Sequence, residues 1–309
     1  QHDYQMTLTS SRKGINATVN DIKQLGELLL PLLKKGQSIY SILQSHKEIK
    51  LSEKTIYNYI ENGVFQDVGV SISTIDLKRV VRRKMSKQKR NTYKPRKDNR
   101  YLIGRKYSDF LIYMEKNSDA KVVEMDTVYN DISNGPFLQT FKFREYDLLI
   151  CIYQTVKDSL HMLDGILLLE KILGKEMFEK EVEVILTDRG SEFILAEEAE
   201  IREDGMRRTR MFYCDSMASW QKGSLENVHL LVREICPKGC DLHALGLTSQ
   251  EKANLISTNI NSYPKEKLHG RSSIQLLHFY NEEMAKRLHD FGITEIAADE
   301  VILKPYLLK

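Results

Sequence analysis

Downstream of residue 118 the hydrophobic and polar positions predict strands and helices in turn. The predicted elements, in chain order, are strands at 121–129, 137–143 and 146–154, a helix at 155–174, strands at 181–187 and 209–214, and a helix at 222–236. Two further helical stretches follow, near 249–262 and 272–291. Three antiparallel strands followed by crossovers predict an α/β domain, in which a mixed five-stranded sheet carries helices on its faces.

The first part of the chain shows helical spacing instead, which predicts an all-α domain over 1–77. Apolar positions in 21–35 predict a first helix that Pro31 should kink or divide, because proline lacks a backbone N–H. Ser38 and Ser52 are each placed to cap a short helix, since a serine hydroxyl accepts hydrogen bonds from the first turn. The pattern therefore predicts three helices, of which the last two are short and close together.

Two short helices joined by a brief turn are typical of a helix-turn-helix DNA-binding module. In the second of them Ile56 and Ile60 are four residues apart and are expected to face inward. Lys54, Tyr57 and Asn58 remain on the outer side, where they are candidates for contacts to DNA. A three-helix bundle with no DNA role is the alternative, and the charge of the following segment favours DNA binding.

Residues 78–97, called here the basic strap, hold eleven Lys or Arg residues and no acid. Residues 1–77 are neutral, and residues 98–309 carry a net charge of −8. This division favours contact between the strap and nucleic acid over a solvated linker with no such role. The candidate phosphate contacts in the strap are Arg82, Arg83, Lys84, Lys87, Lys89 and Arg90. The predicted organisation is a helix-turn-helix domain at 1–77, a basic linker at 78–117 and an α/β domain at 118–309.

Composition narrows the class of protein further. No apolar run reaches the roughly 18 residues that a membrane-spanning helix needs, and no secretory leader is visible. The chain begins at Gln1 without a methionine, which is consistent with a trimmed sequence or a missing N-terminal piece. The four cysteines lack the paired spacing of a secreted scaffold, which favours a reducing, cytoplasmic setting. Cys236, Cys240 and His243 have a weak zinc-like spacing, and ordinary thiols are the favoured interpretation.

Three acidic residues fall at corresponding places in the predicted order of elements. Asp126 lies near the end of the first strand, Asp188 just past the fourth, and Glu226 in the first turn of the helix after the fifth. Adjacent strands would bring the two aspartates together, and the helix would add the glutamate at their edge. Clustered carboxylates repel one another unless cations lie between them, which predicts a site for two Mg²⁺ or Mn²⁺ ions. Two such ions about 4 Å apart promote in-line phosphoryl transfer.

Other interpretations of these acids stay open. Asp188 begins the sequence Asp-Arg-Gly-Ser, which is also typical of a simple turn. Glu192, Asp215 and Glu124 are neighbouring acids that compete for the same role. With 43 Asp and Glu residues in the chain, most are expected to be solvated or to cap a helix. The combination of element order and position is what favours the triad.

Five stretches of the chain carry a family resemblance. They are VVEMDTV around Asp126, LTDRGSEF around Asp188, SWQKGSLENVHLLVREICPKG around Glu226, KKGQSIYSILQSH with SEKTIYNYI, and NSYPKEKLHGRSS. Together they resemble the insertion-sequence-thirty family of DDE transposases over nearly the whole chain. The resemblance implies an RNase H-like integrase core, in which Asp126 bridges two metal ions while Asp188 and Glu226 each complete one coordination shell.

The resemblance also implies a bacterial DNA transposase acting in the cytoplasm, at the nucleoid. Such a protein binds the terminal inverted repeats of its mobile element, cuts a strand to free a 3′-hydroxyl, and joins that hydroxyl to target DNA. Because two ends must be paired, a homodimer or larger assembly on double-stranded DNA is expected. The alternatives are a DNA-binding repressor or domesticated transposase without catalysis, and an RNase H-like nuclease that does not join strands.

One position departs from the family, since Arg189 stands where its members usually have Asn. This arginine would either help to hold the scissile phosphate or weaken metal binding. Lys222, Arg233 and Lys238 lie near the third acid of the triad and are candidate phosphate contacts, with surface solubility as the alternative. Trp220 is expected to pack against the base of the same helix, and stacking on a DNA base is the less favoured alternative.

Overall fold

The computed structural model describes residues 17–78, 100–130, 135–216 and 218–309. The chain divides into two compact units, residues 1–85 and residues 86–309. The strap candidates Arg82, Arg83, Lys84, Lys87, Lys89 and Arg90 lie outside the described residues. In the described part of the chain, no helix combines the length and the apolar character needed to cross a membrane.

Over its described residues, 17–78, the first unit holds helices and no strand, as the sequence predicts. Its helices are α1 (Val19–Lys34), α2 (Ile39–Ser45), α3 (Glu53–Glu61) and the single turn α4 (Val64–Asp67). Ser38 Oγ accepts a hydrogen bond from Ser41 N at 3.2 Å, and Ser52 Oγ accepts one from Thr55 N at 3.1 Å. Both predicted caps are therefore present, and they fix where the two short helices begin.

Pro31 does not divide the first helix, so of the two predicted effects, a kink or a division, the division is wrong. The helix continues to Lys34 because Pro31 lies in its last turn, where the missing N–H removes only one helical hydrogen bond. Leu29, Leu32 and Leu33 around it are buried in the core of the unit. This apolar packing stabilises the last turn and outweighs the lost bond.

The second unit is built on one mixed sheet of five strands. Its strands are β1 (Val122–Val128), β2 (Phe137–Phe143), β3 (Leu148–Gln154), β4 (Val184–Thr187) and β5 (Arg210–Tyr213). Across the sheet they lie in the order β3-β2-β1-β4-β5. The pairs β1–β2 and β2–β3 are antiparallel, whereas β1–β4 and β4–β5 are parallel. The prediction of a mixed five-stranded sheet is confirmed.

The helices of the second unit are α5 (Tyr107–Lys116), α6 (Ser159–Leu173), α7 (Lys175–Glu181), α8 (Ala196–Glu200), α9 (Gly223–Ile235), α10 (Gln250–Ser262), α11 (Ser273–Tyr280) and α12 (Glu282–Asp290). α5 lies in the range predicted as a linker and packs Phe110 against Phe212 of β5, with ring centroids 5.7 Å apart. The helical stretch predicted near 272–291 is present, and it consists of the two helices α11 and α12. Asn281 interrupts it and caps α12, because its side chain accepts a hydrogen bond from Met284 N at 3.0 Å.

The sheet divides its side chains between two apolar cores, because successive residues of a strand point to opposite faces. Val123 and Met125 of β1 belong to a core that α6 covers. Val128 and Leu138 belong to the other core, which α9 and α10 cover. Asp126 alternates in phase with Val128, so its side chain lies on the face covered by α9.

Candidate active site

Asp126 and Asp188 are neighbours at the ends of two parallel strands. The register pairs Glu124 of β1 with Leu186 of β4, and Asp126 and Asp188 each follow two residues later, where both carboxylates act on the same Lys222 ammonium. Residues two apart on a strand share a face, so both carboxylates lie on the α9 side of the sheet. The sheet thus brings together the two acids that the order of elements had placed at its edge.

A buried lysine lies against this pair of carboxylates. Lys222 is 4% exposed, ends the 3-10 turn before α9, and donates a hydrogen bond from Nζ to Asp126 Oδ2 at 2.9 Å. Backbone donors hold the other oxygens, from Thr127 N to Asp126 Oδ1 at 2.7 Å and from Gly190 N to Asp188 Oδ1 at 2.8 Å. Both carboxylates are therefore oriented by the backbone that follows them, which is the strand β1 itself for Asp126 and the loop after β4 for Asp188.

Burial and mutual repulsion change the acidity of these groups. Burial raises the pKa of the Asp188 carboxyl above its ordinary value; Lys222 opposes this effect, and the charge of Asp126 adds to it. Burial alone would lower the pKa of the Lys222 ammonium, but the two carboxylates outweigh burial and raise that pKa. One ammonium offsets two neighbouring carboxylates, so the pair keeps an excess of negative charge when ionised.

Glu192 lies next to the pair as a third buried carboxylate. It is 6% exposed, accepts a hydrogen bond from Thr127 Oγ1 at 3.3 Å and forms an ion pair with Lys157. A Cβ at Gly190 would lie 2.5 Å from Glu192 Oε2 and 2.9 Å from Asp188 Oδ1, so both carboxylates close over this glycine. Sequence reasoning treated Glu192 only as a competing acid, although its place four residues after Asp188 was a usable signal.

Glu226 lies in the first turn of α9, as predicted, with its side chain exposed. The same helix buries the predicted apolar stripe of Leu225, Val228, Val232 and Ile235. Among the described residues, no three Asp, Glu, His or Cys side chains form a group arranged to hold a metal ion. Two members of the predicted triad are thus neighbours on the sheet, while the third faces solvent at the start of the adjoining helix.

Polar contacts at two points hold α9 against the sheet. Glu124, a second competing acid, accepts hydrogen bonds from Leu225 N at 2.6 Å and from Arg144 Nε at 2.7 Å. His229 Nε2 lies 2.9 Å from Thr140 Oγ1, and burial lowers the pKa of this histidine to about 4. Glu124 and His229 therefore position the helix that carries Glu226, a role that sequence reasoning did not assign to either residue.

Two of the predicted phosphate contacts, Arg189 and Arg233, are held by protein groups. Arg189 Nη2 lies 2.7 Å from Asp215 Oδ1, and its Nε donates to a backbone carbonyl at 2.9 Å. Arg233 donates to Tyr129 O at 3.0 Å and to Asn130 Oδ1 at 2.7 Å. Both side chains stabilise loops at the edge of the site, and Asp215, the third competing acid, serves as the partner of Arg189.

The other predicted contacts near α9 differ in exposure. Lys238 is exposed, whereas Lys222 is buried against Asp126 and is not a surface cation as the sequence reading had allowed. The prediction that Trp220 packs under α9 is wrong, because its side chain is 72% exposed. It lies in the 3-10 turn before the helix, where its ring makes an edge-to-face contact with the ring of Tyr107 at 6.2 Å between centroids.

In the first unit, the predicted division of α3 into an inner and an outer side is present. Ile56 and Ile60 are buried in the core of that unit, whereas Lys54 and Asn58 are exposed. Tyr57 is half-buried against the same core. Lys54 and Asn58 are therefore available to a partner, and Tyr57 is available in part.

The zinc-like spacing of cysteines does not form a metal centre in the described part of the chain. Cys236 packs in the apolar core under α9, and burial raises the pKa of its thiol to about 12. Zinc binds the thiolate, which such surroundings disfavour. Cys236 is therefore a buried core thiol.

The chain is similar in sequence to two transposases, whereas no family model matches it. Over 68 residues, which are 22% of this chain and 19% of the relative, it is 37% identical to the transposase for insertion sequence element IS1086 of Cupriavidus metallidurans. Over 236 residues, which are 76% of this chain and 60% of the relative, it is 25% identical to the probable transposase for insertion-like sequence element IS1161 of Streptococcus salivarius. The expected resemblance to insertion-sequence transposases is confirmed, and the chain spans less than two thirds of either relative.

Solved structures give a weaker comparison. The HTLV-2 integrase catalytic core domain in complex with magnesium is 14% identical in sequence, with a TM-score of 0.36, over 50% of this chain and 94% of that chain. The intasome of simian T-cell lymphotropic virus in complex with a PP2A regulatory subunit is also 14% identical, with a TM-score of 0.33, over 51% of this chain and 55% of that chain.

Proposed function

We propose that this chain is a metal-dependent DNA transposase. It binds the terminal inverted repeats of a mobile element, cleaves a DNA strand, and joins the freed 3′-hydroxyl to target DNA. The observation that carries this proposal is the pair of carboxylates, Asp126 and Asp188, side by side at the ends of two parallel strands. The similarity to two insertion-sequence transposases supports the same activity.

The residues at this site fit a hard divalent cation such as Mg²⁺ or Mn²⁺. The donors of the pair are carboxylate oxygens, and Asp126 Oδ2 already holds a cationic group, the Lys222 ammonium, at 2.9 Å. Asp126 and Asp188 would hold the metal from the sheet, and Glu226 would complete the site from the first turn of α9. Two bound cations would activate a water or 3′-hydroxyl and stabilise the leaving oxygen of the phosphodiester.

DNA recognition is assigned to the first unit and the basic strap. The exposed side chains Lys54 and Asn58 of α3, with the half-buried Tyr57, would contact the inverted repeat. The strap, residues 78–97, would follow the phosphates without reading bases, because the attraction between its positive charges and the phosphates does not depend on the DNA sequence. Joining two ends of one element requires two copies of the site, so we propose that the chain acts as a dimer or larger assembly on DNA.

The Glu226→Gln variant tests the catalytic part of the proposal. It should bind the repeat end as the parent does, while Mg²⁺-dependent cleavage and joining fall at least about 100-fold, since losing even an outer partner of a metal costs about 10–100-fold. Labelled duplexes carrying the element's end, with separate assays for cut and joined strands, measure this. Glu251→Gln is the matched control, because Glu251 is an exposed acid in the first turn of α10 and should leave all three readouts unchanged.

The same assay separates the competing functions. A parent chain that binds the repeat end but neither cuts nor joins it would be a repressor or a domesticated transposase. Hydrolysis without joining would identify a nuclease. If Glu226→Gln cuts and joins DNA as well as the parent does, Glu226 is not a catalytic residue.

A further inference from the structure

The Lys222 ammonium fills the place beside Asp126 where a cation is needed. Its Nζ is 2.9 Å from Asp126 Oδ2 and 3.4 Å from Met125 O, and its charge also acts on Asp188. The lysine stem is buried, so the ammonium is presented from inside the protein. A side chain of this chain therefore already supplies part of the positive charge that the carboxylate pair requires.

We propose that Lys222 is a built-in counter-ion, which a divalent cation must displace from Asp126 before the site can act on DNA. This inference rests on the proposed function, because it takes Asp126 and Asp188 as the ligands of the metal. An ammonium and a metal ion compete for the same carboxylate oxygens. The doubly charged ion has the stronger attraction to the pair, so it replaces the lysine at sufficient concentration.

The backbone around Lys222 is anchored, so the exchange involves its side chain. Gln221 Oε1 accepts a hydrogen bond from Asp215 N at 2.7 Å, and Gln221 Nε2 donates to Asp215 Oδ2 at 3.0 Å. Arg144 Nη2 donates to Gln221 O at 3.4 Å. With the turn held at these points, rotation of the four-carbon stem is the movement that remains.

Once a metal ion has displaced the Lys222 ammonium from Asp126, the ammonium can bind a second partner. The released ammonium is free to pair with a DNA phosphate, and lysine is a compact charge suited to such a contact. Metal binding and DNA binding would then strengthen each other, because each favours the same released position of Lys222. This links the buried position of Lys222 with the phosphate contact that the sequence suggested for it.

Mn²⁺ binding to the full chain without DNA tests the proposal. Lys222→Met removes the charge but keeps an unbranched stem, so the metal no longer has to displace an ammonium. We expect isothermal titration to give a Kd for Mn²⁺ at least about tenfold lower than that of the parent. Lys222→Arg keeps the charge and should bind Mn²⁺ within about threefold of the parent. Lys286→Met, an exposed lysine of α12, should match the parent.

A second readout reports the displacement of the Lys222 side chain, because moving its charge changes the electrostatic surroundings of the nearby Trp220 ring. Trp220 is the sole tryptophan of the chain and lies two residues before Lys222 in the same 3-10 turn. Its emission should change when Mn²⁺ is added to the parent, and should change less in Lys222→Met. If Lys222→Met is unstable without metal, Lys222→Gln gives the same comparison with an uncharged hydrogen-bond donor.

The outcomes separate this inference from the proposed function. Equal or weaker Mn²⁺ binding by both uncharged variants overturns the counter-ion role and leaves the metal site and transposase activity standing. Absence of Mn²⁺ binding in the parent and in every variant overturns both proposals. If Lys222→Met binds Mn²⁺ more tightly than the parent, and the parent neither cuts nor joins DNA, the counter-ion role is supported and the transposase activity is refuted.

Discussion

Two clusters of buried charge in the second unit balance their charges in opposite ways. At the turn between β2 and β3, the carboxylate of Asp147 forms ion pairs with Lys142, Lys265 and Lys267. Lys265 Nζ lies 2.8 Å from Asp147 Oδ2 and donates to Ser273 Oγ at 2.7 Å. At the ends of β1 and β4, by contrast, one ammonium serves a pair of carboxylates. The first cluster contains more lysines than carboxylates, and the second contains more carboxylates than lysines.

The pKa of the aspartate in each cluster shows the effect of this difference in charge balance. Burial alone would raise the pKa of Asp147, but Lys265 and Lys142 outweigh burial and lower that pKa to about 2. Asp188 in the other cluster has a raised pKa, because burial and its acidic neighbour exceed the effect of one lysine. The lysine-rich cluster keeps its acid ionised and serves the fold, whereas the acid-rich cluster is the one proposed above to hold a metal ion.

Asp147→Asn should give the largest effect, because it leaves buried ammonium groups without their carboxylate. Lys142 and Lys265 are both buried, and breaking a buried pair on one side costs about 3–5 kcal/mol. The backbone of Asp147 is left-handed, with φ 52°, a conformation that asparagine also adopts readily, so the change isolates the charge. Urea unfolding of the variant and the parent measures the loss.

Asp164→Asn is the control for that experiment, since Asp164 is exposed on α6 and should change the unfolding free energy by less than about 0.5 kcal/mol. A loss below about 1 kcal/mol in Asp147→Asn would mean that the lysine cluster does not depend on its acid. The contrast between the two clusters would then fail.

The pH dependence of the same pair of proteins gives the next effect in size. The folded-state pKa of Asp147, about 2, is below the ordinary value of 3.8. Its stabilisation is therefore present above about pH 4 and is lost as the pH falls through about 2. The stability gap between the parent and Asp147→Asn should narrow by about 2 kcal/mol between about pH 5 and pH 2. If the difference in unfolding free energy between the two proteins stayed constant over this range, the lysines would not lower the pKa of Asp147.

The sequence predicted the strands well because their side chains alternate or form continuous apolar runs. Asp126 and Asp188 were identified because strand order places the ends of β1 and β4 at one edge. The helical stretch predicted near 272–291 is helical, but the sequence pattern did not show its break at Asn281, where a side-chain cap begins α12. Periodicity predicts which face a residue occupies, but it does not detect a cap inside a helical pattern.

The cations of the site were harder to predict than its acids. Lys222 was predicted as a phosphate contact because it lies near Glu226 in the sequence, with a surface lysine as the alternative, whereas its burial depends on the path of the turn before α9. Trp220, in the same turn, was expected inside and lies outside. The burial of Lys222 and the exposure of Trp220 were both hard to predict for one reason, since a short 3-10 turn has no repeating pattern from which the direction of a side chain can be predicted.

Gly190→Ala should give the smallest of these effects and should fall on the acid-rich cluster alone. The backbone of Gly190, with φ −62°, accepts alanine without strain, but the new Cβ would lie 2.5 Å from Glu192 Oε2 and 2.9 Å from Asp188 Oδ1. These are ends of side chains that can shift, so we expect a loss of about 1 kcal/mol in urea unfolding and weaker Mn²⁺ binding. Gly223→Ala, with nothing within 4 Å of its added Cβ, should bind Mn²⁺ as the parent does and be as stable or more so. If Gly190→Ala matched Gly223→Ala in both measurements, the two carboxylates would not share the space over Gly190, and the fit of a metal ion there would lose its structural support.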